Sequence, residues 1–100
     1  MSKEYRQLAR VLRGAYNQAS KGKGKDRHAV TGEAFEDQQI CEITRRLQGN
    51  SAAGALFQAV KKIYESGRLP KKQAIAELHG AINYTGAAIL VIEETPEDSA

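Results

Sequence analysis

Between Pro70 and about Ile92, core-type side chains return every three or four residues: Ile75, Leu78, Ala81, Ile82, Thr85, Ile89 and Ile92. That spacing gathers on one face of an α-helix, whereas a strand would scatter it over both faces. Pro70 suits the first turn of such a helix, because its fixed φ is already helical and its missing N–H is not needed there. Gly80, Ala81, Gly86, Ala87 and Ala88 add a face of small residues, which lets a neighbouring helix approach closely.

The same periodicity recurs in three shorter stretches, and no segment shows the alternation of a half-buried strand. The first stretch follows Ser2 as N-cap and runs to about Ala19, with Tyr5, Leu8, Leu12, Ala15, Tyr16 and Ala19 on one face. Lys3, Arg6, Arg10 and Arg13 fall about 155° away, giving that helix a cationic back. The second covers about Glu36–Gln48, with Ile40, Ile43 and Leu47 inward and Gly49-Asn50 as the stop. The third spans Ala52–Ser66, capped by Ser51, with Leu56, Ala59, Val60, Ile63 and Tyr64 as its core face and Gly67 at its end. The expectation is an all-α fold: one small domain of about four helices over residues 1–94. A mobile basic loop follows the first helix, from Ser20 to about Phe35, and residues 95–100 form an acidic tail.

A chain of 100 residues that is 41% hydrophobic can bury roughly two-thirds of its unfolded surface in one core. With no tryptophan and only 6% aromatic residues, that core is expected to be built from aliphatic helix faces. The net charge of +3 hides an uneven distribution: residues 1–27 carry +6, 28–48 carry −2 and 49–100 carry −1. Cys41 is the single cysteine, which excludes an internal disulfide and fits the cytosol. The charged N-terminus lacks the apolar stretch of a signal peptide. The longest uninterrupted apolar run, Ala87–Ile92, is far short of the roughly 20 residues of a membrane span. A cytoplasmic protein with no membrane contact is expected, and the oligomeric state is left open.

The side chains offer little catalytic chemistry. His28, His79 and Cys41 lack the spacing that puts two ligands on one metal ion. Cys41 lies beside Glu42, whose charge would raise the thiol pKa, so an inert core thiol is the simpler reading. Glu33-x-x-Glu36-Asp37 superficially resembles the Glu-x-x-Glu of magnesium-dependent nucleotide pyrophosphohydrolases. Those enzymes need a second acidic pair on a facing helix, and the fourth helix supplies only Glu77 before its end. No catalytic residue, metal ligand or cofactor is assigned.

Two charged segments remain. Lys21, Lys23, Lys25 and Arg27 alternate with glycine or acid in a basic loop that could contact nucleic-acid phosphates, although no strand or Gly-Lys-Ser/Thr makes it a P-loop. Downstream, Glu33, Glu36 and Asp37 surround Phe35 and could engage a basic groove on a partner. The aromatic ring is equally suited to anchor in that partner or to fold back as a hydrophobic staple.

Four segments carry a resemblance: Gly-Lys-Gly-Lys-Asp-Arg-His-Ala (22–29), Phe-Glu-Asp-Gln-Gln-Ile (35–40), Gln-Ala-Val-Lys-Lys-Ile-Tyr-Glu-Ser-Gly-Arg-Leu-Pro (58–70) and Glu-Leu-His-Gly-Ala-Ile-Asn-Tyr (77–84). In this order they are similar to small phage and prophage proteins, over roughly residues 21–94. The chain as a whole resembles the sixth-named family of type I-F anti-CRISPR proteins. The resemblance implies a helical, non-enzymatic inhibitor acting in the bacterial cytoplasm. Its partners would be the large subunit and adjacent backbone subunit of the type I-F CRISPR surveillance complex, with a guide RNA contact left open. Occupying that junction would block target DNA. The alternative is a phage nucleic-acid-binding accessory protein that uses the basic loop.

Overall fold

The computed structural model describes residues 2–22, 32–48, 52–94 and 96, and the side chains of Thr44, Arg46, Leu47 and Gln48 are not described. The described residues form four α-helices and no strand: α1 (Arg6–Lys21), α2 (Gln39–Gln48), α3 (Ala53–Ser66) and α4 (Lys71–Glu93). Single 3-10 turns at Lys3–Tyr5 and Phe35–Asp37 lead into α1 and α2. The fold is all-α, as the periodicity predicts; α3 and α4 lie within a residue of their expected bounds, while α1 and α2 each start three residues later than expected, after a 3-10 turn. The Ser51 cap, the Gly49-Asn50 stop, most of the basic loop and most of the tail lie outside the described residues, as does the Leu47 side chain.

One local expectation is corrected. The Ser2 side chain makes no capping bond; the chain enters α1 through its 3-10 turn, with the Tyr5 N–H donating to the Ser2 carbonyl. Gly67 follows the last residue of α3, as expected, but does not turn left-handed, for its φ is −66°. Instead the helix tightens, with the Arg68 and Leu69 N–H groups donating to the Glu65 and Ser66 carbonyls, and Pro70 then opens α4.

The larger correction concerns what lies inside. The core is made of small residues: Ala15 on α1, Ala52, Ala55 and Ala59 along α3, and Gly80, Ala81, Ala87, Ala88 and Val91 on α4, with Ile40 and Cys41 from α2. The long side chains expected inward face out. On α1 these are Tyr5, Leu8, Leu12 and Tyr16; on α3, Leu56, Val60, Ile63 and Tyr64; on α4, Ile75, Leu78, Ile89 and Ile92; on α2, Ile43. All keep at least 41% exposure.

Helix separation explains the inversion. α3 and α4 form an antiparallel hairpin with the broadest contact among the described elements, Ala52 and Ala55 meeting Ala87 and Ala88. At the short end of the 8–10 Å range of helix spacings only alanine and glycine fit between backbones. Apart from Val91, which is fully buried on α4, most branched chains on these helices point elsewhere. Helix α4 is apolar on nearly every side, and by length and composition alone it could cross a membrane. Here its small-residue face is buried against α2 and α3, and its opposite face is left open.

α1 is held on α4 by an amide clamp. Asn83 Nδ2 donates to the Ala15 carbonyl at 3.0 Å and to Gln18 Oε1 at 3.1 Å, while Gln18 Nε2 donates to the Ala76 carbonyl at 3.0 Å. Gly14 lets the helices meet here, because a Cβ at this position would lie 2.5 Å from His79 Cε1.

Candidate partner-binding site

The acidic segment folds into a braced turn. Phe35 is half-buried and packs against the cluster of Ile40, Cys41, Ala52, Ala55, Ala87 and Ala88. With the ring held there, Phe35–Asp37 closes as a 3-10 turn: the Asp37 N–H donates to the Ala34 carbonyl at 2.9 Å and the Gln38 N–H to the Phe35 carbonyl at 3.1 Å. Gln38 is buried, and its Nε2 donates to the Glu33 carbonyl at 3.1 Å. Its own carbonyl accepts from the Cys41 and Glu42 N–H groups and so starts α2.

Arg45 braces the turn from the far side. Its Nη2 donates to the Glu36 carbonyl at 2.7 Å, its Nε reaches both Glu94 carboxylate oxygens at 2.9 Å, and its Nη1 meets Glu42 Oε2 at 3.3 Å. One guanidinium therefore ties the acidic turn, α2 and the end of α4 together. Burial works to lower the Arg45 pKa, and the hydrogen bond and charge of Glu94 outweigh it, holding the group above its usual value. Cys41 sits beneath, fully buried; burial pushes its thiol up, Arg45 pulls it back, and Glu94, Glu36 and Asp37 add to the rise. That thiol is a core atom, not a nucleophile.

The result is a rigid bend whose Glu36 and Asp37 side chains are exposed next to each other while their backbone is fixed. Glu33 lies nearby, half-buried, on the wall of an adjacent groove. Of the basic residues, Lys21 is the exposed last residue of α1, whereas Lys23, Lys25 and Arg27 fall outside the described residues. Arg6, Arg10 and Arg13 are exposed along α1, as is Lys3 in the turn before it.

A groove of about 700 Å³ runs between α1, α4 and the acidic segment, walled by Leu12, Tyr16, Phe35 and Ile82. Among the described residues, no group of three or more His, Cys, Asp or Glu side chains is placed to hold a metal ion. Glu77, the facing carboxylate that a pyrophosphohydrolase-like site would need, is paired with Lys62 at 3.4 Å.

Sequence reasoning finds the acidic turn but misses Arg45. The local signal is the Glu42/Arg45 spacing of three, which only predicts a surface pair; the tie to Glu94 spans 49 residues. The exposed apolar faces were legible as faces, but not as surface. The chain matches no family model, no curated protein and no solved structure. The resemblance to phage proteins and to type I-F anti-CRISPR proteins therefore stands on the sequence alone.

Proposed function

We propose that this chain is a phage-encoded inhibitor that binds the type I-F CRISPR surveillance complex in the bacterial cytoplasm and keeps target DNA from its guide. The braced acidic turn carries this reading. The partner's DNA path must be lined with lysine and arginine to hold phosphate, and an acidic side chain can occupy such a surface. Glu36 and Asp37 present two carboxylates on a backbone fixed by Phe35, Gln38 and Arg45, so little ordering entropy is lost on docking. The resemblance of the chain as a whole to type I-F anti-CRISPR proteins points to this complex, and the junction of its large and adjacent backbone subunits is the expected seat.

The test is target-DNA binding by purified surveillance complex with stoichiometric protein, using the wild type and the Glu36→Lys/Asp37→Lys variant. Reversing both charges against a basic groove should weaken inhibition at least about 100-fold, because like charges brought together cost several kcal/mol. Helical circular dichroism should be unchanged. Undiminished inhibition by the variant would remove the turn from the interface, and absence of inhibition by the wild type would remove the partner.

A second reading rests on the exposed cations of α1, Arg6, Arg10 and Arg13 flanked by Lys3 and Lys21. On that reading the protein binds nucleic acid directly, and it would shift free DNA or RNA in a salt-dependent way while leaving the surveillance complex unaffected.

A further inference from the structure

The open face of α4 has an order that surface residues do not need. Ile75, Leu78, Ile82, Thr85, Ile89 and Ile92 follow one another at steps of 3, 4, 3, 4 and 3. That is a coiled-coil seam running nearly the whole length of the helix. In the isolated chain Ile75, Leu78, Ile89 and Ile92 are 41–54% exposed. No charged residue flanks the seam from Ile75 to Ile92: the neighbouring positions are Ala74, His79, Ala81, Gly86 and Ala88. The one polar member, Thr85, already donates its hydroxyl to the Ala81 carbonyl at 2.8 Å, so the seam can leave water with no unsatisfied donor.

We infer that α4 pairs with α4 of a second copy of this chain, antiparallel about a two-fold axis near Ile82 and Thr85. An uncharged stripe offers nothing to a charged partner, but it complements itself under a two-fold axis. In this register Ile75 faces Ile92 of the partner, Leu78 faces Ile89, and Ile82 faces Thr85. Antiparallel pairing sets the cationic start of each helix, Lys71-Lys72, opposite the acidic end, Glu93-Glu94, of the other. Parallel pairing would stack like on like. α1 joins the same interface, because its exposed Leu12 and Tyr16 wall the groove that Ile82 completes. With Tyr5 and Leu8 continuing that stripe, the dimer interior is a four-helix bundle of two α1 and two α4 helices. The exposed surface of the four α1 and four α4 side chains comes to about 800 Å² per protomer, at roughly 200 Å² for each full side chain. A standard-size interface takes about that much from each partner.

This inference does not depend on the acidic turn or on the proposed inhibition. Its test is sedimentation equilibrium of the full chain across a dilution series, with helicity followed by circular dichroism. Wild type should show twice the 10.9 kDa chain mass. Ile89→Lys should weaken the dimer at least about 100-fold, since the two-fold axis buries two charges at once. Val60→Lys, on the exposed face of α3, should leave it intact. Mixed Ile75→Cys and Ile92→Cys chains should give a disulfide between unlike chains under mild oxidation. A monomeric wild type, a dimer unmoved by Ile89→Lys, or one lost with Val60→Lys would overturn the proposal. So would a disulfide formed by Ile75→Cys chains alone, or flotation of the protein with lipid vesicles through α4.

Discussion

Gly14 is where the contact of α1 with α4 can be tested with a reversal of sign. An alanine Cβ there would stand 2.5 Å from His79 Cε1 and 2.6 Å from Nε2, roughly 1 Å closer than ordinary carbon contact. Either the imidazole swings out of its place or α1 lifts, and overpacking of this kind costs on the order of 1–3 kcal/mol. Against that, alanine in a helix interior is favoured over glycine by about 1 kcal/mol. Gly14→Ala should therefore destabilise the native chain by about 1 kcal/mol, lowering its melting temperature by roughly 4–8 °C for a domain of this size. In a His79→Ala background the obstruction is gone and only helix propensity remains, so the same substitution should stabilise by about 1 kcal/mol. The assay is urea and thermal unfolding of the four chains of this cycle, followed by circular dichroism. If Gly14→Ala raises the melting temperature in both backgrounds, the close approach is absent and the reasoning fails.

Arg45→Ala removes the brace shared by the acidic turn, α2 and Glu94. The contacts to the Glu36 carbonyl, Glu42 and Glu94 are all lost at a side chain only 22% exposed, while Glu94 is 41% exposed and screened by water, so a loss of about 1–2 kcal/mol is expected in urea unfolding. An unchanged midpoint would show that the guanidinium merely decorates the surface. Cys41 should resist thiol reagents in the native state and react as soon as the chain unfolds. Its folded pKa is raised above the ordinary 9.0, so the neutral thiol's contribution is full below that value and lost as pH rises through the higher native one. The stability gap between wild type and Cys41→Ala should accordingly narrow in alkali; a gap independent of pH would contradict the burial.

How legible this was in the sequence differs from element to element. Helix spans are local: periodicity, Pro70 and the turn glycines mark them to within a residue in α3 and α4, and to within three in α1. Which face turns inward is not local. On α4 two apolar faces compete, and transfer free energy favours the isoleucines, while the alanine stretch Ala52–Ala59 on α3 favours the small residues. The partner's shape decided it, and no single-helix argument contains that shape. At the acidic turn the charges and the aromatic were visible, and so were both roles for Phe35. The clasp that fixes the turn was not, because Arg45 reaches Glu36 and Glu94 through contacts set by the tertiary fold.

A core of alanine and glycine also shapes how the molecule responds to heat. The heat capacity released on unfolding scales mainly with apolar area newly wetted. Here the long aliphatic chains are already partly wet in the folded chain, so folding by itself changes that area modestly and its stability varies gently with temperature. The steep, heat-capacity-laden step is transferred to whatever event finally covers Ile75, Leu78, Ile89 and Ile92. In such a protein, cold weakens association before it weakens the fold.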